Sequence, residues 1–269
     1  AIGLLRKMRI AIQGCCHDEL NKIYGKIAEL QKSSGTAVDL LLICGDFQGI
    51  RSEKDFSSVS IPPKYQRLGD FRDYWSGKKV APVLTIVIGG NHEVSTVLCQ
   101  NYYGGWLAPN IYHLGHSGCV QVGGLKICGI SGIHSDRDYP LGYFESFPFS
   151  QSELRSVYHT RSFEVLKLKH MKNVDIFMSH EWPRRVYHYG DLFELLRRKP
   201  YFKQDIQNDA LGCPGCEELL NEVKPKRWFS AHLHCSFEAK IPFENGRTTD
   251  FLALDKCIRN REHLRIIEI

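Results

Sequence analysis

The chain has 269 residues, 43% of them hydrophobic and 24% charged, enough for one large domain or a domain with an appendage. Its formal net charge of +5 permits an anionic partner without requiring one. No apolar run reaches the roughly 18–20 residues of a membrane span, Ala1–Leu5 does not read as a signal peptide, and the scattered Cys residues suit reduced thiols in an intracellular compartment.

RIAIQ (9–13) predicts a buried strand and runs into Gly14-Cys15-Cys16-His17. Residues 19–33 place Leu20, Ile23, Ile27 and Leu30 at helical spacing. DLLLIC (39–44) predicts a second strand and runs into Gly45-Asp46. A polar, Pro-bearing loop follows, then a helical or irregular stretch. VLTIVIGG (83–90) predicts a third strand, ending at Asn91-His92-Glu93. IYHLG, CVQVG and LKICGIS, within 110–132, read as short strands of an antiparallel patch.

Residues 133–160 have little periodicity and many aromatics: Tyr139, Tyr143, Phe144, Phe147, Phe149 and Tyr158. Long structureless loops in compact domains are usually functional. Residues 161–174 read as a helix, and DIFMS (175–179) as a strand leading into His180. Cys213-Pro-Gly-Cys216 reads as a plain loop with two thiols, because no second CxxC accompanies it. RWFSA (227–231) is a strand ending at His232-Leu233-His234, and 236–269 reads as further strands. The strand–helix–strand order predicts a parallel-centred α/β sheet with a second sheet packed against it.

These strand ends deliver Cys15, His17, Asp46, Asn91, His180, His232 and His234 to one rim, where open α/β sheets bind ligands. Imidazole, carboxylate and thiolate are ligands for zinc, iron and manganese. The set is too large for one tetrahedral ion and suits two ions sharing a carboxylate. Asp46 is the natural bridge, being the acidic strand-end residue apart from Glu93. His113, His116, His159, His170 and His263 read as structural.

At these residues the chain resembles the calcineurin-like metallophosphoesterases, whose pattern is GDxH, then GDxxD or GDxxxR, then GNH(E/D), H and GHxH. It departs at Cys15, which stands for the first Asp, and at Ala231, which stands for a Gly that is not a ligand. Longer strings narrow the resemblance to the RNA lariat debranching enzymes: GCCH, CGDFQ, SIPPKY, SGKKVAPVLTIVIGGNHE, YGGWLAPNIY, GISGI, SHEWP, YHYG, WFSAHLH and FLALDKC.

The resemblance implies an α/β fold, a four-layer α/β/β/α sandwich of two mixed sheets, over residues 8–269. It implies a lariat-recognition loop at 133–160 and a further carboxyl-terminal region in the family beyond this shared core. The expected activity is hydrolysis of the 2′–5′ phosphodiester at the branch point of excised intron lariats. Two divalent ions (iron, zinc or manganese) would be bridged by Asp46. One pocket would use Cys15, His17, Asp46 and His234, the other Asp46, Asn91, His180 and His232. The partner is branched or lariat RNA, with no membrane and no obligate protein partner, in the nucleus and also compatible with the cytoplasm.

The chemistry fits these residues. A branch nucleotide has both its 2′ and 3′ oxygens esterified, so water must attack, and a metal-bound water ionises near neutral pH. His92 follows a ligand without being counted as one and is assigned as the general acid for the leaving 2′ oxygen. Lys64, Arg67, Arg184 and Arg185 are candidates for backbone phosphates. Tyr139, Tyr143, Phe144 and Trp182 are candidates for stacking bases. Deleting Tyr139 to Phe149 is expected to spare the chemistry while weakening RNA binding. The competing readings are a Ser/Thr protein phosphatase, whose GDxVDRG pattern Gly45–Arg51 does not match, a DNA-repair nuclease, and a non-enzymatic scaffold, which should have lost ligands.

Overall fold

All five apolar runs are strands in the computed structural model, which describes residues 7–269; the signal-peptide expectation for Ala1–Leu5 falls outside the described residues. They are β1 (Arg9–Gln13), β2 (Leu40–Ile43), β3 (Leu84–Val87), β8 (Ile176–Ser179) and β9 (Arg227–Ser230). The remaining strands are β4 (Gly105–Ala108), β5 (Ile111–His113), β6 (Ser117–Val122), β7 (Leu125–Ile130), β10 (Phe237–Pro242), β11 (Thr248–Ala253) and β12 (Leu264–Glu268).

Two six-stranded sheets form, in the orders β12-β1-β2-β3-β5-β4 and β10-β11-β9-β8-β7-β6. Strands β1, β2, β3 and β5 are parallel, as are β7, β8, β9 and β11, with antiparallel edges. The central strands are buried on both faces, which is why they read as unbroken apolar runs. Ile10, Ile12, Leu40 and Leu42 face Ile127, Ile176, Met178 and Phe229 between the sheets. Ala11, Leu41, Ile43 and Val87 pack outward under Leu20, Ile23 and Ile27 of α1 (Leu20–Ser34). On the other side Phe177 and Trp228 pack under helices α4 (Ser162–Lys169) and α7 (Pro214–Val223). The four layers are therefore helix, sheet, sheet, helix, as expected.

Three expectations need correction. The short strands of 110–132 do not make one patch: β5 joins the first sheet beside β3, and the chain then crosses to the second sheet. The left-handed Gly115, at φ 85°, makes that crossing. The helix expected over 161–174 stops at Lys169, before Asn173 turns the chain with φ 55°. Cys213-Pro-Gly-Cys216 is not a plain loop but the start of α7: Cys213 is its N-cap, with Sγ accepting from the Cys216 N–H at 3.3 Å, and Pro214 fills the first turn, where a missing N–H costs nothing. Helices α2 (Phe71–Trp75), α3 (Ser95–Gln100), α5 (Leu192–Arg198) and α6 (Lys203–Gln207) complete the set. Residues 133–160 stay irregular apart from one 3₁₀ turn at Glu153–Arg155. Among the described residues no helix is long and apolar enough to cross a membrane.

Candidate metal centre

The carboxyl ends of β1, β2 and β3 meet those of β8 and β9 at one edge of the sandwich. Each chain must turn sharply there to present a side chain inward. His17, Asp46, His232 and His234 adopt left-handed backbone, with φ of 49°, 47°, 62° and 50°. For residues other than glycine this costs on the order of 1 kcal/mol each and persists only where surroundings impose it. Here the His17 N–H donates to the Asp46 carbonyl at 2.6 Å, and the His92 N–H donates to Asp46 Oδ1 at 2.9 Å. Gly90 allows the closest approach: a Cβ there would lie 2.3 Å from Asp46 Oδ1 and 2.7 Å from His180 Nε2.

Ligand atoms of Cys15, His17, Asp46 and His234 all lie within 4.8 Å of one another. His180 Nε2 lies 3.3 Å from Asp46 Oδ1 and 3.2 Å from Asn91 Oδ1, with the His232 ring 5.0 Å from the His180 ring. Asp46 Oδ2 is 3.7 Å from His17 Nε2, so its two oxygens face different groups of ligands. All seven expected ligands are thus at one edge.

Electrostatics favours a cation here. Burial opposes the Asp46 charge, but His180, His17 and His92 hold it well below the usual carboxylate range. Burial lowers His17 and His234 to about 4 and His232 to about 3, so all three are neutral at pH 7 with lone pairs to donate. Burial, and then Asp46, push the Cys15 thiol up, so a cation must displace its proton. His234 Nε2 is buried without a hydrogen-bond partner. An orphaned imidazole nitrogen in a cluster of soft and hard donors is what a divalent ion would satisfy, and the residues fit one.

Partners outside the ligand set orient it. His180 Nδ1–H donates to the Cys44 carbonyl at 2.7 Å, which leaves Nε2 free as a ligand. His17 Nδ1 meets the Gln48 amide at 2.9 Å. The Glu93 carboxyl accepts N–H bonds from Phe47 and Gln48 at 2.7 Å and Gly90 at 2.8 Å, bracing the β2 and β3 loops together. Burial and the nearby Asp46 push Glu93 up to about 8. Sequence reasoning noted Glu93 without giving it this role and missed Gln48 altogether. The sequence signals for Glu93 were its place at the end of the third strand and the GNH(E/D) pattern.

His92 is half-buried, its ring 5.9 Å from that of His17. Its Nδ1–H donates to the Ser60 carbonyl at 3.1 Å, across the Pro-bearing loop.

The expected RNA contacts fare unevenly. Trp182 cannot stack a base as placed: it is fully buried, its ring stacks on Phe237 at 5.0 Å, and its indole N–H donates to the Ala231 carbonyl at 2.9 Å. Tyr143 packs against His116 at 4.3 Å and Arg161 at 4.8 Å. Tyr139 is half-buried against the outer core and His134. Phe144 remains 50% exposed and Phe147 64%, so these two loop rings offer free faces. Arg185 is paired with Glu217, Arg67 with Glu19, and Lys64 lies over Tyr65. The Nε of Arg184 is buried without a partner.

The loop is not a detachable flap. Glu145 and Arg161 form an ion pair at 2.5 Å with both side chains 1% exposed. Deleting Tyr139 to Phe149 removes Glu145 and strands a buried guanidinium, so the chemistry is not expected to survive that deletion independently of the fold. Single replacement of Phe144 or Phe147 is the cleaner test of stacking.

Residues 8–236 match the family described as calcineurin-like phosphoesterase. The chain belongs to that family. This phosphoesterase is 51% identical over 269 residues to the lariat debranching enzyme of Homo sapiens, covering 97% of this chain and 49% of that protein. It is 50% identical over 268 residues to lariat debranching enzyme A of Xenopus laevis, covering 97% and 50%. With the lariat debranching enzyme of Arabidopsis thaliana it shares 49% over 264 residues, covering 97% and 63%. The chain spans about half the length of the vertebrate relatives it matches.

Proposed function

We propose that this phosphoesterase hydrolyses the 2′–5′ phosphodiester at the branch point of lariat RNA, in the nucleus. The observation that carries the reading is a centre of buried and half-buried Cys, His, Asp and Asn side chains in a chain about half identical, over 97% of its length, to proteins named lariat debranching enzyme. Cys15, His17, Asp46 and His234 would hold one divalent ion, and Asp46, Asn91, His180 and His232 a second, with Asp46 shared between the two sets. When bound, such ions supply a nucleophile from water at neutral pH and neutralise phosphoryl oxygens.

The chain's own residues do the rest. Asp46 stays ionised and balances the cations. His92 gives Nδ1–H to Ser60, which fixes the ring and leaves Nε2 to deliver a proton to the departing 2′ oxygen. The phosphatase reading gains nothing: Arg51, the cation of the Gly45–Arg51 segment, is held by Asp55 at 2.7 Å.

Cleavage of branched RNA in ¹⁸O-labelled water tests the proposal. The label is expected in the released 5′-phosphate, with an unlabelled 2′ hydroxyl left on the branch nucleotide. Label at the 2′ oxygen, or no cleavage, overturns it.

Cys15 bears on the metals. A thiolate carries the charge of the usual Asp but prefers zinc or iron to magnesium. Cys15→Asp is expected to raise activity with manganese or magnesium relative to zinc or iron. Assays of metal-stripped, reloaded protein check this, and an unchanged metal ranking contradicts it.

A further inference from the structure

Away from the metal centre, two cysteines face one another across the β6–β7 hairpin. Cys119 of β6 is the register partner of Cys128 of β7. Their sulfurs lie 2.9 Å apart, with the Cys128 S–H donating. The ladder fixes which kind of pair this is. At its open end the Ser131 N–H donates to the His116 carbonyl at 2.8 Å, so those two residues form a hydrogen-bonded pair. At its closed end Gly123 and Gly124 make a two-residue turn with φ of 56° and 84°, flanked by the pair Val122 and Leu125. Hydrogen-bonded and non-hydrogen-bonded pairs alternate along an antiparallel ladder, which makes Cys119 and Cys128 a non-hydrogen-bonded pair. Cα atoms of such a pair stand about 4.5 Å apart, within the range of about 4.4–6.8 Å that a disulfide spans.

The two thiols have unequal surroundings. Cys128 is fully buried with Val165 and Leu168 of α4. Cys119 is partly open to solvent on β6, the edge strand of its sheet. The Cys128 S–H, and then Lys126, hold the Cys119 thiol below its ordinary range against the effect of burial. The thiolate is the reactive form, so Cys119 is the attacking sulfur and Cys128 the resolving one. Cys99, the exposed cysteine among the described residues, has its thiol pushed up by burial and by Glu145.

We propose that Cys119 and Cys128 are a site of reversible oxidation, at which a peroxide joins the facing thiols into a disulfide between β6 and β7. The Cys119 thiolate attacks one peroxide oxygen, the O–O bond breaks, and the departing hydroxide takes a proton and leaves as water. The sulfenic acid left on Cys119 is attacked by the Cys128 sulfur. The S–O bond breaks, the S–S bond forms, and the second oxygen leaves as water with the Cys128 proton. Two thiols lose two electrons, and one hydrogen peroxide is reduced to two waters. Because the partner sulfur is already in place, Cys119 is resolved before it climbs to the irreversible sulfinic acid. A dithiol reverses the step by exchange.

The test treats reduced, metal-loaded full chain with equimolar hydrogen peroxide, blocks the remaining thiols and digests without reduction. Trypsin cuts after Lys126 and Arg137, so Cys128 falls in its own peptide, 127–137. That peptide is expected to be joined to 80–126, which carries Cys99 and Cys119. Cys119→Ser is expected to abolish the link, and Cys128→Ser to leave Cys119 as a sulfenic acid that dimedone captures. The linked wild type is expected to melt about 5 °C higher, and dithiothreitol to return it to the reduced value. The wild-type peptide map decides the matter whether or not the Cys128→Ser protein folds. A link that survives Cys119→Ser, or a Cys119 that stays reduced while Cys99 is oxidised, overturns the proposal.

Discussion

Replacing His92 with alanine is expected to slow cleavage of branched RNA by about a hundredfold to ten-thousandfold, the usual worth of general acid–base catalysis. Metal content and RNA affinity are expected to stay near wild type. The bond that touches the metal cluster is the His92 backbone N–H to Asp46 Oδ1, and alanine keeps it. What alanine loses is the ring, which Ser60 holds with one nitrogen turned away from the carbonyl. The fall should therefore lie in kcat rather than in KM. Metal analysis beside single-turnover kinetics checks this. Loss of one metal equivalent would make the ring a ligand and overturn its assignment as proton donor.

The second large effect is on stability. Glu145→Gln keeps the shape of a side chain that is 1% exposed and removes the charge facing Arg161. Breaking a buried ion pair from one side costs about 3–5 kcal/mol. Arg161 keeps carbonyl acceptors at Asp138 (2.9 Å) and Ser156 (3.3 Å), which points to the lower part of that range. A fall in Tm on the order of 10 °C is expected for a chain of this size. Pairing Glu145→Gln with Arg161→Met should recover much of the loss, because no unpaired charge then remains. If the single variant melts like wild type, the loop is not anchored by this pair.

The parts of the fold that were legible from sequence share one cause. Strands β1, β2, β3, β8 and β9 are buried on both faces, so burial alone writes them as apolar runs. Ligands at strand ends are legible for the same reason, since the run ends where the side chain turns to the rim. What was not legible depends on partners distant in sequence. Trp182 sits between Phe237 and Phe251, and nothing near Trp182 in the chain signals that. The Ser60 carbonyl meets His92 across 32 residues, and backbone acceptors leave no mark on residue identity. Nothing local in the sequence marks Glu145 and Arg161 as a buried pair, because pairing, not composition, permits their burial. The helix start at Cys213 was hidden because cysteine is not among the usual helix-capping residues, so the segment read as a plain loop.

The central claim is that the Asp46 centre acts on 2′–5′ branched RNA. Its most direct test is the turnover of three substrates by one metal-loaded preparation: branched RNA, a linear 3′–5′ RNA of the same composition, and a phosphopeptide. The account predicts cleavage of the branched RNA at the branch with kcat/KM at least a hundredfold above either of the others, on the order of what specific positioning contributes, and loss of that activity in Asp46→Asn. Equal or faster turnover of linear RNA or phosphopeptide would contradict it.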